Sequence, residues 1–270
     1  MAFFPWGGNG DIGWEWVIHA ERPGPSNPKH ENFNYMGYSL QNECDEFKHL
    51  SEEEADVPNT AWLYTKQLTY AYAGFPEFGW NRSYFELATK DLQDINMTFR
   101  GAYKNDPYFL PERIEGGPME PVAGVENVGK IGPEEFAREL ARSKMLVGIG
   151  QPWLAPSPYL ALCLRTPYLN LLKRWDADDP DNRAKWDSQH NALMGMDSPY
   201  VYNVRAGDYD GFLAALRNAV QHPILEPYID PEMTLIAMRT KVRDLVEADW
   251  QGMGKERWEK MTAEGRTLVG

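Results

Sequence analysis

Residues 146–170, LVGIGQPWLAPSPYLALCLRTPYLN, decide the fold of this chain. The stretch opens as a strand, breaks at glycines and prolines, restarts as a short helix and ends in a second apolar run. Ser157 followed by Pro158 reads as a helix start: serine is a preferred N-cap, and proline suits the next position because its missing N–H would be unpaired anyway. A strand, turn, helix and strand in succession form the unit of a parallel sheet. The free N–H groups of such a first turn face the crevice above the strand ends, where phosphate-bearing ligands bind. Gly148 and Gly150 let backbone pass close to a ligand. A strand–turn–helix with no ligand satisfies the same spacing. The stretch contains no Asp or Glu, although such ligands are usually gripped by a carboxylate as well.

The pattern outside this unit agrees with it. GPEEFARELARSK (132–144) reads as a helix, with Pro133 at its first position, Glu134 and Glu135 in the first turn and an apolar stripe of Phe136, Ala137, Leu140 and Ala141. SYFELATKDLQDI (83–95) and DYDGFLAALRNAV (208–220) are two further amphipathic helices. NMTFRGAY, PYLNLL and YVYNV read as strands, and NFNYMGYSL (32–40) as another. TAWLYTKQLTYAY (60–72) places Trp62, Leu63, Lys66, Gln67 and Tyr70 at helical spacing and is read as a helix. Residues 104–132, rich in proline and glycine, read as a long surface loop. PEMTLIAMRTKVRDLVEADW (231–250) reads as one final, longer helix. Strands alternating with helices predict an α/β fold, a Rossmann-like parallel sheet flanked by helices. The expected organisation is an irregular extension over 1–58, with a strand near 32–40, followed by a Rossmann-like domain over 59–270 that ends in a helix. The acidic run SEEEADVPN (51–59) reads as a connection or a helix start.

Composition narrows the function. The net charge is −13, from 40 acidic against 27 basic residues, with no basic block. That argues against nucleic acid or anionic membrane as partner, while a local cationic site for a small anion stays open. The N-terminus has neither the basic start nor the long apolar core of a signal peptide or membrane anchor, so the sequence taken as complete predicts a cytoplasmic chain. Cys44 and Cys163 have no metal-ligand spacing; the simplest reading is a buried Cys163 and an uncommitted Cys44, with one bridge not excluded. Two N-x-S/T triplets, at Asn81 and Asn96, matter only if the chain enters the secretory pathway. The five histidines form no nucleophilic or metal constellation.

LARSKMLVGIGQPWLAPSPYLALCLRTPYLN (140–170) resembles the donor-binding segment of glycosyltransferase family 18, the β-1,6-N-acetylglucosaminyltransferases that act on an α-1,6-linked mannose of N-glycans. KWDSQHNAL, SPYVYNV and DYDGFLAALRNAVQHPILEPY resemble its following segments in the same order, and NYMGYSL and NVGKIGPEEFARELARSK fit upstream, closest to fungal members. The likeness runs from about 32 to 250 and is specific in 127–228. It implies the C-terminal domain of a GT-B enzyme, a UDP-GlcNAc donor, inversion at the anomeric carbon, no metal and no other cofactor. A glycan acceptor would be the second partner, and the Golgi the compartment. By the resemblance, Gly148, Gly150, Ser157, Pro158 and Tyr159 would face the diphosphate, Lys185 would supply charge, and Gln189 and His190 would line the sugar or base side. The catalytic base would belong to an N-terminal half for which this sequence has no counterpart, so the chain alone is expected to be weak or inactive. Family members carry acidic residues where this chain has Leu154 and Leu160, and a small residue at Arg165. The D-x-D of DADD (176–179), which in other glycosyltransferases holds a metal, reads here as a solvated acidic loop. A non-catalytic relative, or a truncated product acting as a binding or assembly module, is the alternative.

Overall fold

The computed structural model describes residues 2–3, 17–19, 34–51, 59–73, 79–104 and 119–265. Contacts divide the chain into two compact units. One comprises Met1–Glu21, His30–Ser39 and Pro231–Gly270; the other comprises Arg22–Lys29 and Leu40–Asp230. The first contains a small parallel sheet of β1 (Ala2–Phe3), β2 (Val17–His19) and β3 (Asn34–Tyr35). β3 falls within the stretch where a strand is expected. The acidic run at 52–58 lies outside the described residues.

The second unit opens with α1 (Gln41–Phe47), a helix in a region read from sequence as irregular. Its sheet is built from β4 (Thr60–Tyr64), β5 (Thr98–Gly101), β6 (Val125–Asn127), β7 (Met145–Gly148), β8 (Tyr168–Arg174) and β10 (Val201–Arg205), with a short β9 (Asp187–Ser188) antiparallel to β8. The order is β10–β8–β7–β4–β5–β6, and those six strands pair in parallel. The chain starts in the middle, builds outward through β5 and β6, then returns to the other side of β4. This is a doubly wound sheet whose direction of growth reverses between β4 and β7.

Two expectations fail here for identifiable reasons. The stretch at 60–64 is a strand, not the start of a helix. All five residues of β4 are buried, because a central parallel strand is covered on both faces and loses the alternation that marks a strand in sequence. β6 lies inside the stretch read as one surface loop; it is a short edge strand, half-buried at best.

The helices are α2 (Tyr70–Ala73), α3 (Ser83–Asp91), α4 (Pro133–Arg142), α5 (Ser157–Cys163) and α6 (Tyr209–Gln221). α1, α4 and α5 pack together, and α3 packs with α6. The strands divide their side chains between the two groups with a period of two. Ala61, Leu63, Phe99 and Val147 enter the core with Phe85 of α3 and Phe212 of α6. Phe85 meets Phe99 edge-on at 5.4 Å, and Phe99 stacks on Phe212 at 6.2 Å. On the opposite face Trp62 meets Phe136 of α4 at 6.4 Å. α6 is capped by Asp208, which accepts from Gly211 N–H at 2.8 Å.

Cys44 of α1 and Cys163 of α5 are joined in a disulfide, with their Cα atoms 5.8 Å apart. Cys44 is therefore committed. The pairing links positions 119 residues apart, a separation from which sequence spacing says nothing.

The C-terminal part of the first unit holds α7 (Leu235–Glu247) and α8 (Trp250–Ala263). The single helix expected over 231–250 ends early, because Ala248 is extended and Asp249 caps a new helix by accepting from Gly252 N–H at 2.8 Å. Among the described residues, no helix is long and apolar enough to cross a membrane.

Candidate ligand-binding site

The loop from β7 to α5 is held by two adjacent residues, Gln189 and His190, from the turn after β9. Gln189 Oε1 accepts from Gly150 N–H at 2.8 Å, and its Nε2 donates to Pro152 O at 3.0 Å. Its backbone carbonyl accepts from Leu154 N–H at 3.3 Å. His190 Nε2 donates to Ala155 O at 3.2 Å. The turn carrying both is tied to β8, since Asn170 Oδ1 accepts from His190 N–H at 3.0 Å and Asn170 Nδ2 donates to Ser188 Oγ at 3.1 Å. Gln189 is fully buried and His190 is 1% exposed. Burial pushes the His190 imidazole down to about 4, with the Ala155 carbonyl opposing the shift, so the ring is neutral at physiological pH.

Gly148 and Gly150 have different jobs in this loop. Gly150 takes a positive φ of 98°. At Gly148 a Cβ would lie 2.5 Å from Gln189 Oε1, 2.7 Å from Leu169 O and 2.8 Å from Tyr168 Oη, so the space left by its missing side chain is occupied by this chain's own atoms. Leu154 takes φ 47° and Arg165 φ 63°, left-handed conformations uncommon for such side chains. Leu154, where the resemblance leads one to expect an acid, is buried. Arg165 follows the end of α5, a position where glycine is favoured.

α5 begins one residue earlier than the sequence suggests. Leu160 N–H donates to Pro156 O at 3.2 Å, which makes Pro156 the N-cap and Ser157 the first helical residue. Ser157 makes no side-chain cap, and Leu160 falls in the fourth helical position rather than at the partner position of a capping box. Pro158 and Tyr159 are buried, and Tyr159 meets the His190 ring edge-on at 5.0 Å. Lys185 is exposed, in a 3-10 turn over Arg183–Lys185. Lys173 and Arg174 both reach Asp187, at 3.7 and 2.7 Å. Asp176 and Asp178 stand in a turn where Asp176 accepts from Asp178 N–H.

An open space lies beside this loop, above the C-terminal ends of β4, β5 and β6. It is a cavity of about 470 Å³, within the range of small-molecule sites. Lys66, Lys104 and Lys130 line it, and no Asp or Glu does among the described residues. Lys66 follows the end of β4, Lys104 the end of β5 and Lys130 the end of β6, each by two or three residues. The first two are brought together by backbone pairing: Lys104 N–H donates to Lys66 O at 3.1 Å, and Leu68 N–H to Lys104 O at 2.8 Å. Asn127 fixes the third loop, since its Oδ1 accepts from Tyr103 N–H and Gly129 N–H while its Nδ2 donates to Tyr103 O. The buried Oε1 of Gln67, also on the wall, has no hydrogen-bond partner among the described residues. Of the residues the resemblance points to, Ser157 lines this cavity; the other seven do not.

The three lysines were not singled out for a role from sequence, and neither was Asn127. A signal for the lysines exists: one lysine just beyond the C-terminal end of each of three adjacent strands. It is visible only once 60–64 is read as a strand and 125–127 is recognised at all.

No family model matches the chain. Over 139 residues, 48% of this chain, it is 24% identical to mouse α-1,6-mannosylglycoprotein 6-β-N-acetylglucosaminyltransferase B, and equally to the human protein of that name. The matched stretch covers 17% of the length of each relative. Solved structures similar to it include the Escherichia coli heptosyltransferase WaaC with ADP, with TM-score 0.36, 16% identity and coverage of 72% of this chain and 51% of that one. Another is the UDP-GlcNAc 2-epimerase of Methanocaldococcus jannaschii, with TM-score 0.38, 10% identity and coverage of 86% and 70%. Over about half its length, therefore, this chain is similar in sequence to a glycosyltransferase.

Proposed function

We propose that the Leu40–Asp230 unit is the donor-binding domain of a GT-B glycosyltransferase and that its cavity receives the nucleotide diphosphate of a UDP-sugar. The observation that carries the reading is electrostatic. In a chain of net charge −13, a cavity at the C-terminal edge of a doubly wound sheet is lined, among the described residues, by three lysines and no carboxylate. Low-dielectric walls around clustered cations favour an anionic ligand. The neighbouring Gln67 oxygen can accept from an N–H of the base.

The sequence similarity extends the proposal to UDP-GlcNAc as donor and the 6-hydroxyl of an α-linked mannose in an N-glycan as acceptor. In that reaction the acceptor oxygen bonds to the anomeric carbon as the bond to the UDP oxygen breaks, with inversion. The lysines meet the charge gathering on the diphosphate, and no metal or other cofactor is assigned. The carboxylate that takes the acceptor proton lies outside the residues assigned here. The Cys44–Cys163 bridge supports an oxidising compartment such as the Golgi lumen.

Calorimetric titration with UDP and UDP-GlcNAc tests the reading. Binding is expected, weakening with salt, and Lys130→Ala or Lys66→Ala should each weaken it about fivefold, roughly 1 kcal/mol, at unchanged melting temperature. No heat and no melting shift at millimolar nucleotide would instead identify a non-catalytic assembly module.

A further inference from the structure

We infer that Asn96 is an N-glycan attachment site. The triplet Asn96-Met97-Thr98 sits where a 3-10 turn (Gln93–Ile95) turns sharply into β5, with Asn96 left-handed at φ 51°. The turn is pinned on two sides. Arg217 of α6 donates to both carboxylate oxygens of Asp94 and to Asp91 O, and Asn59 Nδ2 donates to Ile95 O at 2.7 Å. Met97 is 1% exposed and anchors the corner in the core. Asn96 is exposed, and none of its carboxamide atoms is engaged by a described residue. The turn thus holds its shape without using the group that modification would occupy.

A second observation concerns the compartment. The Cys44–Cys163 disulfide is a feature of proteins that fold in an oxidising lumen, where the asparagine-modifying transferase also works. Position supplies a third. Thr98 pairs with Thr60 at the N-terminal ends of β5 and β4, the edge of the sheet opposite the lysine cavity. A glycan there leaves the cavity open. The other triplet differs: Asn81 is half-buried, and its Oδ1 already accepts from both the N–H and the hydroxyl of Ser83.

In the modification, Asn96 Nδ2 bonds to the anomeric carbon of a lipid-diphosphate-linked oligosaccharide. The bond from that carbon to the diphosphate oxygen breaks, the electron pair leaves on the diphosphate, and one amide proton passes to the transferase. The test is to produce the full chain through the secretory route of a eukaryotic cell and treat it with an amidase that removes N-glycans. Asn96→Gln should abolish one mobility step, and Thr98→Ser should retain it. Thiol titration of Asn96→Gln should still show the bridge formed, and UDP titration an unchanged affinity, which separates this inference from the donor reading. Equal migration of wild type and Asn96→Gln before and after treatment overturns it.

Discussion

The two halves of the sheet's C-terminal edge use their polar groups differently. On the β7–β8 side, Gln189, His190 and Asn170 are buried and spend nearly every polar atom on the chain itself, holding the 149–157 loop. On the β4–β5–β6 side, the polar groups are lysines at the rim of an open cavity. The difference separates a rigid frame from a surface still able to meet a ligand. Mutations on the first side should cost stability, and mutations on the second should cost affinity.

The disulfide offers the largest test of that division, because it anchors α5, the helix that follows the pinned loop. Closing a loop of 119 residues stabilises by about 5 kcal/mol in the chain-entropy account. Cys44→Ser with Cys163→Ser should lower denaturant stability by about that much, while nucleotide affinity at low temperature holds within about twofold. A matching collapse of affinity would show that frame and cavity are not separable.

Gly148→Ala should come next. The new methyl group cannot share its site with Gln189 Oε1, Leu169 O and Tyr168 Oη. Displacing Gln189 leaves the buried Gly150 N–H without an acceptor, so overpacking and the lost hydrogen bond together should cost about 3 kcal/mol. Urea unfolding measures it. A cost under about 0.5 kcal/mol would mean that the loop is not held as tightly as its hydrogen bonds imply.

The frame is the more legible half from sequence, for a physical reason. The β7–α5 unit, α4 and α6 carry local marks: glycine, Ser-Pro, first-turn acids and an apolar stripe. These act within a few residues, so a short window contains their cause. β4 is misread because burial on both faces erases its period, and β6 because three edge residues are too few to show one. The cavity inherits both errors, since its lysines have a common address only relative to those strands. The disulfide and the Gln189–His190 clamp join residues 119 and about 40 positions apart. Resemblance brings Gln189 and His190 near the loop; it does not show that their polar atoms end on its amides and carbonyls.

The smallest effect per unit change, and the one that most directly asks which side His190 serves, is its response to pH. Burial holds its folded value at about 4, below the ordinary value near 6.5. Between those values the unfolded chain takes up a proton that the folded chain refuses. Stability from this residue is therefore fully present above pH 6.5 and lost as pH falls toward 4, with a slope approaching about 1.4 kcal/mol per pH unit. His190→Gln removes the titration and keeps a donor for Ala155 O. Its stability curve, subtracted from wild type, should isolate that slope from the carboxylates that titrate nearby. A residue of the frame shows the slope without nucleotide, and UDP does not change its midpoint. A residue that touches the ligand shows a midpoint that moves when UDP binds. Coincident curves for wild type and His190→Gln would remove the buried neutral imidazole from the account of the loop altogether.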